Sequence, residues 1–243
     1  MRIDILTLFP KMFDSVLNES MLRRAQDKGA LKFRIHNLRD WTFDAHRSAD
    51  DKPFGGGAGM VMKVDPVYRA LKSLGLLKKT VDRRPKTKDH MRIILLTPQG
   101  KKLNQIVVKK LSKERRLILI CGHYEGVDER IRSLVDEEVS IGDYILTCGE
   151  IPALVLIDAV ARLKPGVLGS QESLRFETFE NRLLEYPQYT RPEVFMGMKA
   201  PRILLSGDHK KIAEWRLKES LKRTRERRPD LIIKKGTKHG KTY

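Results

Sequence analysis

The chain opens on a short apolar run over residues 2–8, RIDILTL, which reads as a strand. Pro10 then introduces an amphipathic stretch over 12–26 that predicts a helix, closed by Gly29 as a C-cap. Residues 31–38 alternate apolar and polar positions, the period of a half-buried strand. The polar segment 39–63 carries Gly55, Gly56, Gly57 and Gly59 and predicts a long loop. Beyond it the pattern predicts a helix over 65–77 and a charged connector without apolar period over 78–90. A strand over 91–96, a helix over 101–111 and a strand over 117–121 follow. A short helix over 128–135, an irregular segment over 140–149 and an apolar helix over 151–163 complete the series. Strands alternating with helices predict an α/β fold around a parallel sheet.

Residues 164–190 break that rhythm, with Pro, Gly and polar punctuation and only scattered apolar positions. They predict a linker whose aromatic side chains dock elsewhere. Residues 208–228 predict a basic helix with Ile212, Trp215 and Leu221 as a modest apolar stripe, and the tail 234–243 reads as frayed. The predicted organisation is a main domain 1–163, a linker 164–190 and a small basic helical domain 191–243.

Composition narrows the function classes. A hydrophobic content of 40% supplies a core, and no apolar run reaches the length of a membrane span. The N-terminus lacks the features of a signal peptide, and Cys121 and Cys148 show no framework spacing, so free thiols in a reducing, cytoplasmic interior are expected. The six histidines have no metal-ligand spacing, which argues against a zinc site. The formal net charge is +18, and residues 191–243 hold 16 Lys/Arg against 6 Asp/Glu. The plain reading of such a helix is a solvated basic face. Its asymmetry favours a polyanion bound through counterion release, and no Trp/Phe-faced anchor accompanies it to suggest a membrane surface.

Known phosphate loops are missing. No G-x-G-x-x-G follows the first strand, and GGGAG at 55–59 has no Lys-Ser/Thr behind it. That cluster is either a flexible turn or a place where backbone lies flush against a planar or anionic ligand. Three segments at predicted strand ends are richer in ligand-capable residues: 97–100 (TPQG), 121–126 (CGHYEG) and 140–150 (SIGDYILTCGE). In open α/β sheets ligands bind at the carboxyl ends of strands, so the three together predict a pocket, with Ile141, Ile145 and Leu146 as apolar walls.

The blocks LTLFPKMF, HRSADDKPFGGGAGMVMK, LLTPQGKKLNQ, LILICGHYEGVDER, SIGDYILTCGEIPALVLIDAVARLKPGVLG, LEYPQYTRPEVF and SGDHKKIAEWRLKESLKRTRERRPDL occur in this order. Over residues 1–232 the chain resembles the bacterial tRNA (guanine-37-N1)-methyltransferases, the TrmD family of the SPOUT superfamily. The resemblance implies transfer of a methyl group from S-adenosylmethionine to N1 of a tRNA guanine beside the anticodon. It implies a SPOUT-type parallel sheet with a C-terminal trefoil knot, a small C-terminal helical domain, and a homodimer. By position it implies cofactor contacts at Leu96, Thr97, Pro98, Gly122, Tyr124, Glu125, Gly126, Ile141, Gly142, Asp143, Tyr144, Ile145, Leu146, Gly149 and Pro152. RNA capture would fall to Asp50, Gly55, Gly56, Gly57 and Gly59, with Arg39, His46, Arg47 and Asp51 nearby, and to Arg216, Lys218, Lys222, Arg223, Arg227 and Arg228. The family also uses Mg²⁺, which no motif in this chain demonstrates.

Guanine N1 carries a proton, so the reaction asks for a base at N1 and a cation at O6. The family's arginine matches Arg162, which without the resemblance reads as a surface charge at a helix C-terminus. The family's aspartate base falls on Glu177, with Glu172 and Glu180 as substitutes, and Cys148 stands where the family has a glycine. Rival readings are a non-catalytic RNA-binding homologue, marked by the Asp-to-Glu change, and a SPOUT enzyme acting on another RNA site.

Overall fold

A computed structural model describes residues 1–77, 90–168, 177–179 and 181–232 and divides into two compact units, Met1–Gly169 and Ser170–Tyr243. The expected tail, most of the charged connector, Glu172 and Glu180 lie outside the described residues.

In the first unit the strands are β1 (Arg2–Thr7), β2 (Lys32–Asn37), β3 (Asp50–Asp51), β4 (Val61–Met62), β5 (Met91–Lys102), β6 (Arg116–Cys121) and β7 (Glu137–Ser140). Five of them form the expected parallel sheet, in the order β2-β1-β6-β5-β7. Strands β1 and β6 are buried almost throughout because both faces of the sheet are covered. Ile3, Ile5, Leu117 and Leu119 face one core, shared with Leu156, Ile157 and Val160. Leu6, Ile118 and Ile120 face the other, with Val67, Leu71 and Ile131. Within β1 the fully buried Asp4 is held by Arg2, His36 and Arg116, at 2.6–2.8 Å. Burial pushes its carboxyl upward, but these three hydrogen bonds outweigh that and hold it well below the usual carboxylate range.

The helices are α1 (Asp14–Leu17), α2 (Ser20–Asp27), α3 (Val64–Ser73), α4 (Gln105–Ser112) and α5 (Glu150–Arg162). The single helix expected over 12–26 is thus divided. Asn18 turns its side-chain amide to the Asp14 carbonyl at 2.8 Å, Glu19 is extended, and Ser20 takes a φ of +49°. A side chain competing for backbone hydrogen bonds breaks a helix that periodicity alone reads as continuous. Gly29 closes α2 at a φ of +68°, as expected. Helix α4 starts later than its pattern suggests because β5 runs on to Lys102, and the Asn104 side chain then caps the N–H groups of Ile106 and Val107. The helix expected over 128–135 is a 3-10 turn, Glu129–Leu134. Strand β7 is an element the pattern did not predict.

The second unit contains a short hairpin, β8 (Val194–Phe195) and β9 (Met198–Lys199), and helix α6 (His209–Arg227), whose N-cap Asp208 accepts from the Lys211 N–H. The stripe expected on α6 is only partly apolar: Ile212 is buried, but so are Ser220 and Thr224. Their hydroxyls hold both backbone groups of Leu184, Ser220 donating to its carbonyl and Thr224 accepting from its N–H. Among the described residues no helix is long and apolar enough to cross a membrane.

Candidate cofactor and RNA site

The three strand-end segments singled out by sequence do come together. After Leu96 the chain leaves the ladder, and Leu96 and Lys101 both pair with Val139, so residues 97–100 arch out of β5 as a wide bulge. Gly122 follows β6 directly, and a Cβ there would meet the Leu96 carbonyl at 3.2 Å. Gly149 lies tighter still. Its N–H donates to the Gly122 carbonyl at 2.7 Å, and a Cβ on it would stand 2.6 Å from the Gly122 nitrogen and 2.8 Å from the Cys121 Cα. A bridge between His123 and Cys148 continues the contact. Segment 147–150 is therefore laid across the end of β6, backbone against backbone, beside the start of the β5 bulge. That juncture is where open parallel sheets bind ligands.

Around it, Leu96, Cys148 and Gly149 are buried, Thr97, Gly122, Gly126, Ile141, Gly142, Leu146 and Pro152 are half-buried, and Pro98, Glu125 and Asp143 are exposed. Asp143 pairs with Lys102 at 2.5 Å. Tyr144 and Ile145 are 54% and 81% exposed, so Ile145 is no wall within this chain by itself.

The glycine-rich loop is the tip of a hairpin, β3–β4, whose place in the fold no local pattern indicates. Backbone hydrogen bonds run from Met62 N to Gly126 O (3.0 Å), Glu125 N to Met60 O (3.1 Å) and Asp128 N to Met62 O (2.9 Å), stitching it to the turn after β6. Gly59 has no Cβ where the Glu125 side chain lies. Gly55, Gly56, Gly57 and Gly59 all have positive φ, between +79° and +119°, a conformation that favours glycine, and Phe54 beside them is fully exposed. Tyr124 has a φ of +62°, and burial first, then a hydrogen bond with Asp50, push its phenol pKa up. Asp50, predicted for RNA, thereby touches a residue predicted for cofactor.

Beneath the juncture sits a residue that sequence reasoning did not single out. Glu150, first residue of α5, is fully buried and its Oε1 accepts from the Thr7 hydroxyl at 2.5 Å. Burial, reinforced by Glu150 and Cys148, pushes the Cys121 thiol well up, so this thiol stays protonated.

Of the two expected catalytic side chains, Arg162 is exposed as the last residue of α5 in the first unit. Glu177 is half-buried in the second unit, in a cavity of about 290 Å³ lined also by Tyr186, Arg216, Leu217 and Ser220. Arg216 lies over the Tyr186 ring at 4.7 Å. Lys218, Lys222, Arg227 and Arg228 are exposed and Arg223 is half-buried; Arg228 is paired with Asp230. Among the described residues no three of His, Cys, Asp and Glu stand together in a way that could hold a metal ion.

A family model described as tRNA (Guanine-1)-methyltransferase TrmD matches residues 1–234. The chain is similar to curated proteins named tRNA (guanine-N(1)-)-methyltransferase. One from Endomicrobium trichonymphae is 55% identical, covering 96% of this chain and 100% of that protein. Another from Dictyoglomus turgidum is 53% identical over 96% and 91% of the two chains, and one from Carboxydothermus hydrogenoformans 55% identical over 97% and 89%.

Proposed function

The chain belongs to the tRNA (guanine-1)-methyltransferase TrmD family, and from that premise we propose that it methylates N1 of guanine-37 in tRNA, beside the anticodon, with Glu177 as base and Arg162 as the cation at O6. Membership makes it an S-adenosylmethionine-dependent tRNA guanine N1-methyltransferase. The observation that carries the site assignment is the convergence of segments 97–100, 121–126 and 140–150 at the bulge of β5 and the carboxyl ends of β6 and β7.

That juncture fits S-adenosylmethionine. Gly122 and Gly149 keep side chains out of a narrow place, leaving backbone N–H and C=O groups to read an adenine edge, and Leu96, Ile141 and Leu146 offer apolar surface. The cofactor, when bound, supplies an electrophilic methyl on sulfonium. The protein's own task is to make guanine N1 a nucleophile. Glu177 takes the N1 proton, and Arg162 stabilises the negative charge that spreads to O6. Glutamate in place of the family's aspartate reaches one methylene further and serves if the backbone around residue 177 stands correspondingly further back, since catalytic positioning tolerates little error.

We assign a trefoil knot to the region of the three segments, supported by the close backbone crossing of Gly149 over 121–122. We also assign a homodimer. Ile151 and Val155 stand one helical turn apart on α5, 44% and 43% exposed, and Met12 and Val16 at the start of the chain add apolar surface. For tRNA, the basic face of α6 supplies phosphate contacts, and the glycine hairpin with exposed Phe54 supplies a surface on which an unpaired base stacks.

The test is mass mapping of the methylated nucleotide after reaction with tRNA transcripts carrying or lacking guanine at position 37. Wild type should mark N1 of that guanine alone. Glu177→Gln and Arg162→Ala should each lose turnover by at least about 100-fold, the usual scale of acid–base and electrostatic contributions. Normal turnover in Glu177→Gln would remove it as the base, and methylation at another nucleotide would overturn the position.

A further inference from the structure

A carboxylate with no exposure at all needs an explanation, and Glu150 is such a residue. Buried acids are costly unless their oxygens are hydrogen-bonded. Glu150 has one oxygen, Oε1, on Thr7, while Oε2 is buried without a hydrogen-bond partner among the described residues. It stands at the first position of a 13-residue helix, where the macrodipole favours negative charge, but a Ser or Asp on the surface would serve that end as well. Its place in the fold is more specific. Thr7 ends β1 and uses the same hydroxyl oxygen to accept the Phe9 N–H at 2.9 Å. The Phe9 ring packs on the His123 ring at a centroid distance of 4.7 Å, and His123 packs edge-on against Tyr124 at 4.7 Å. The chain of contacts thus runs from the turn at Gly149, through Glu150, Thr7 and Phe9, to the turn after β6. Both ends of it belong to the juncture proposed for the cofactor.

We propose that Glu150 is a positioning residue of the cofactor site, its hydrogen bond to Thr7 clamping the β1 terminus so that the Phe9–His123 stack holds the 122–126 turn in register with Gly149. The inference rests on the reading of that juncture as the S-adenosylmethionine site. Glu150 touches neither the methyl group nor the base; it acts through the two turns. A clamp that serves only cofactor geometry has a signature distinct from one that serves only the core. It alters S-adenosylmethionine affinity while tRNA affinity stays put.

The experiment uses the full-length chain with Thr7→Val, Thr7→Ser and Glu150→Gln, measured by calorimetric titration with S-adenosylmethionine, filter binding of tRNA, and thermal melting. Thr7→Val keeps the side-chain shape and removes the hydroxyl. It should weaken S-adenosylmethionine binding by about ten-fold, the scale of one hydrogen bond to a charged group, and leave the tRNA Kd within about two-fold. Thr7→Ser, which restores the hydroxyl, should recover most of the loss, and in steady-state assays the change should fall on the cofactor KM more than on kcat. If Glu150→Gln fails to fold, the two Thr7 variants decide alone. A Thr7→Val protein that melts earlier yet binds S-adenosylmethionine as wild type does would overturn the proposal and leave Glu150 a core residue. A wild-type protein that binds no S-adenosylmethionine would instead remove the cofactor reading on which the proposal stands.

Discussion

Gly149→Ala isolates the close backbone crossing at the juncture. The residue has φ −83° and ψ −8°, which alanine adopts freely, so the substitution introduces no backbone strain of its own. Its whole effect comes from the added methyl. That methyl would stand 2.6 Å from the Gly122 nitrogen, 2.8 Å from the Cys121 Cα and 2.9 Å from the Cys121 carbonyl carbon, all inside the 3.4 Å at which ordinary contact begins. These are backbone atoms at the end of a buried central strand, with no rotamer to change. Segment 147–150 must move away and give up the Gly149 N–H to Gly122 hydrogen bond at 2.7 Å. Overpacking of this kind costs about 1–3 kcal/mol and the lost hydrogen bond about 1 kcal/mol more. Gly142→Ala is the matched control. There the added methyl meets the ring of Tyr144, a 54% exposed side chain that can swing aside, so the expected cost is below about 0.5 kcal/mol. Urea denaturation gives the stabilities, and a titration with S-adenosylmethionine on the same samples reports the site. Gly149→Ala should lose about 2–4 kcal/mol and most of its cofactor affinity, whereas Gly142→Ala should keep its stability. Equal stability of the two variants would refute the reasoning.

Asp4 predicts an acid limb of stability. Its folded carboxyl releases its proton more readily than the unfolded one, so its contribution is fully present above about pH 4 and declines as the pH falls through the carboxylate range. In Asp4→Asn the urea midpoint should be lower at pH 6 and should fall less between pH 5 and pH 3. An unchanged acid slope would mean that the cluster with Arg2, His36 and Arg116 is not the source. On α6, Lys222→Ala and Arg227→Ala should each reduce the slope of log K against log salt for tRNA by about 0.7–0.9, the signature of one phosphate contact, whereas the ion-paired Arg228 should change it less. Asp208→Ala removes the α6 cap and should cost about 1 kcal/mol, read as a lower melting temperature without change at the cofactor site.

The parallel sheet was legible because β5 and β6 carry unbroken apolar runs that two covered faces require, and β1 a run interrupted only by Asp4. Strand β7 escaped because its sequence, EEVS, holds one apolar residue; it forms by register with β5, a long-range condition with no local trace. The division between α1 and α2 escaped because a period of apolar positions does not register an Asn side chain that competes for the backbone. Glycines and polar residues at strand ends predicted the juncture correctly as a place of convergence, but two of its parts were not readable. The docking of the glycine hairpin rests chiefly on backbone hydrogen bonds, whose groups any sequence possesses. Glu150 was read only as the end of the segment 140–150, since packing alone reveals that its surroundings exclude water.

The seam between the glycine hairpin and the turn after β6 has a thermodynamic corollary. Three backbone hydrogen bonds join the two and give a direct route for coupling between them. If RNA grips the hairpin and the methyl donor lies against the turn, each partner must change the other's affinity by the same factor. Free energy being a state function, the fully loaded enzyme is equally stable by either route, and the seam can influence only the size of that shared factor.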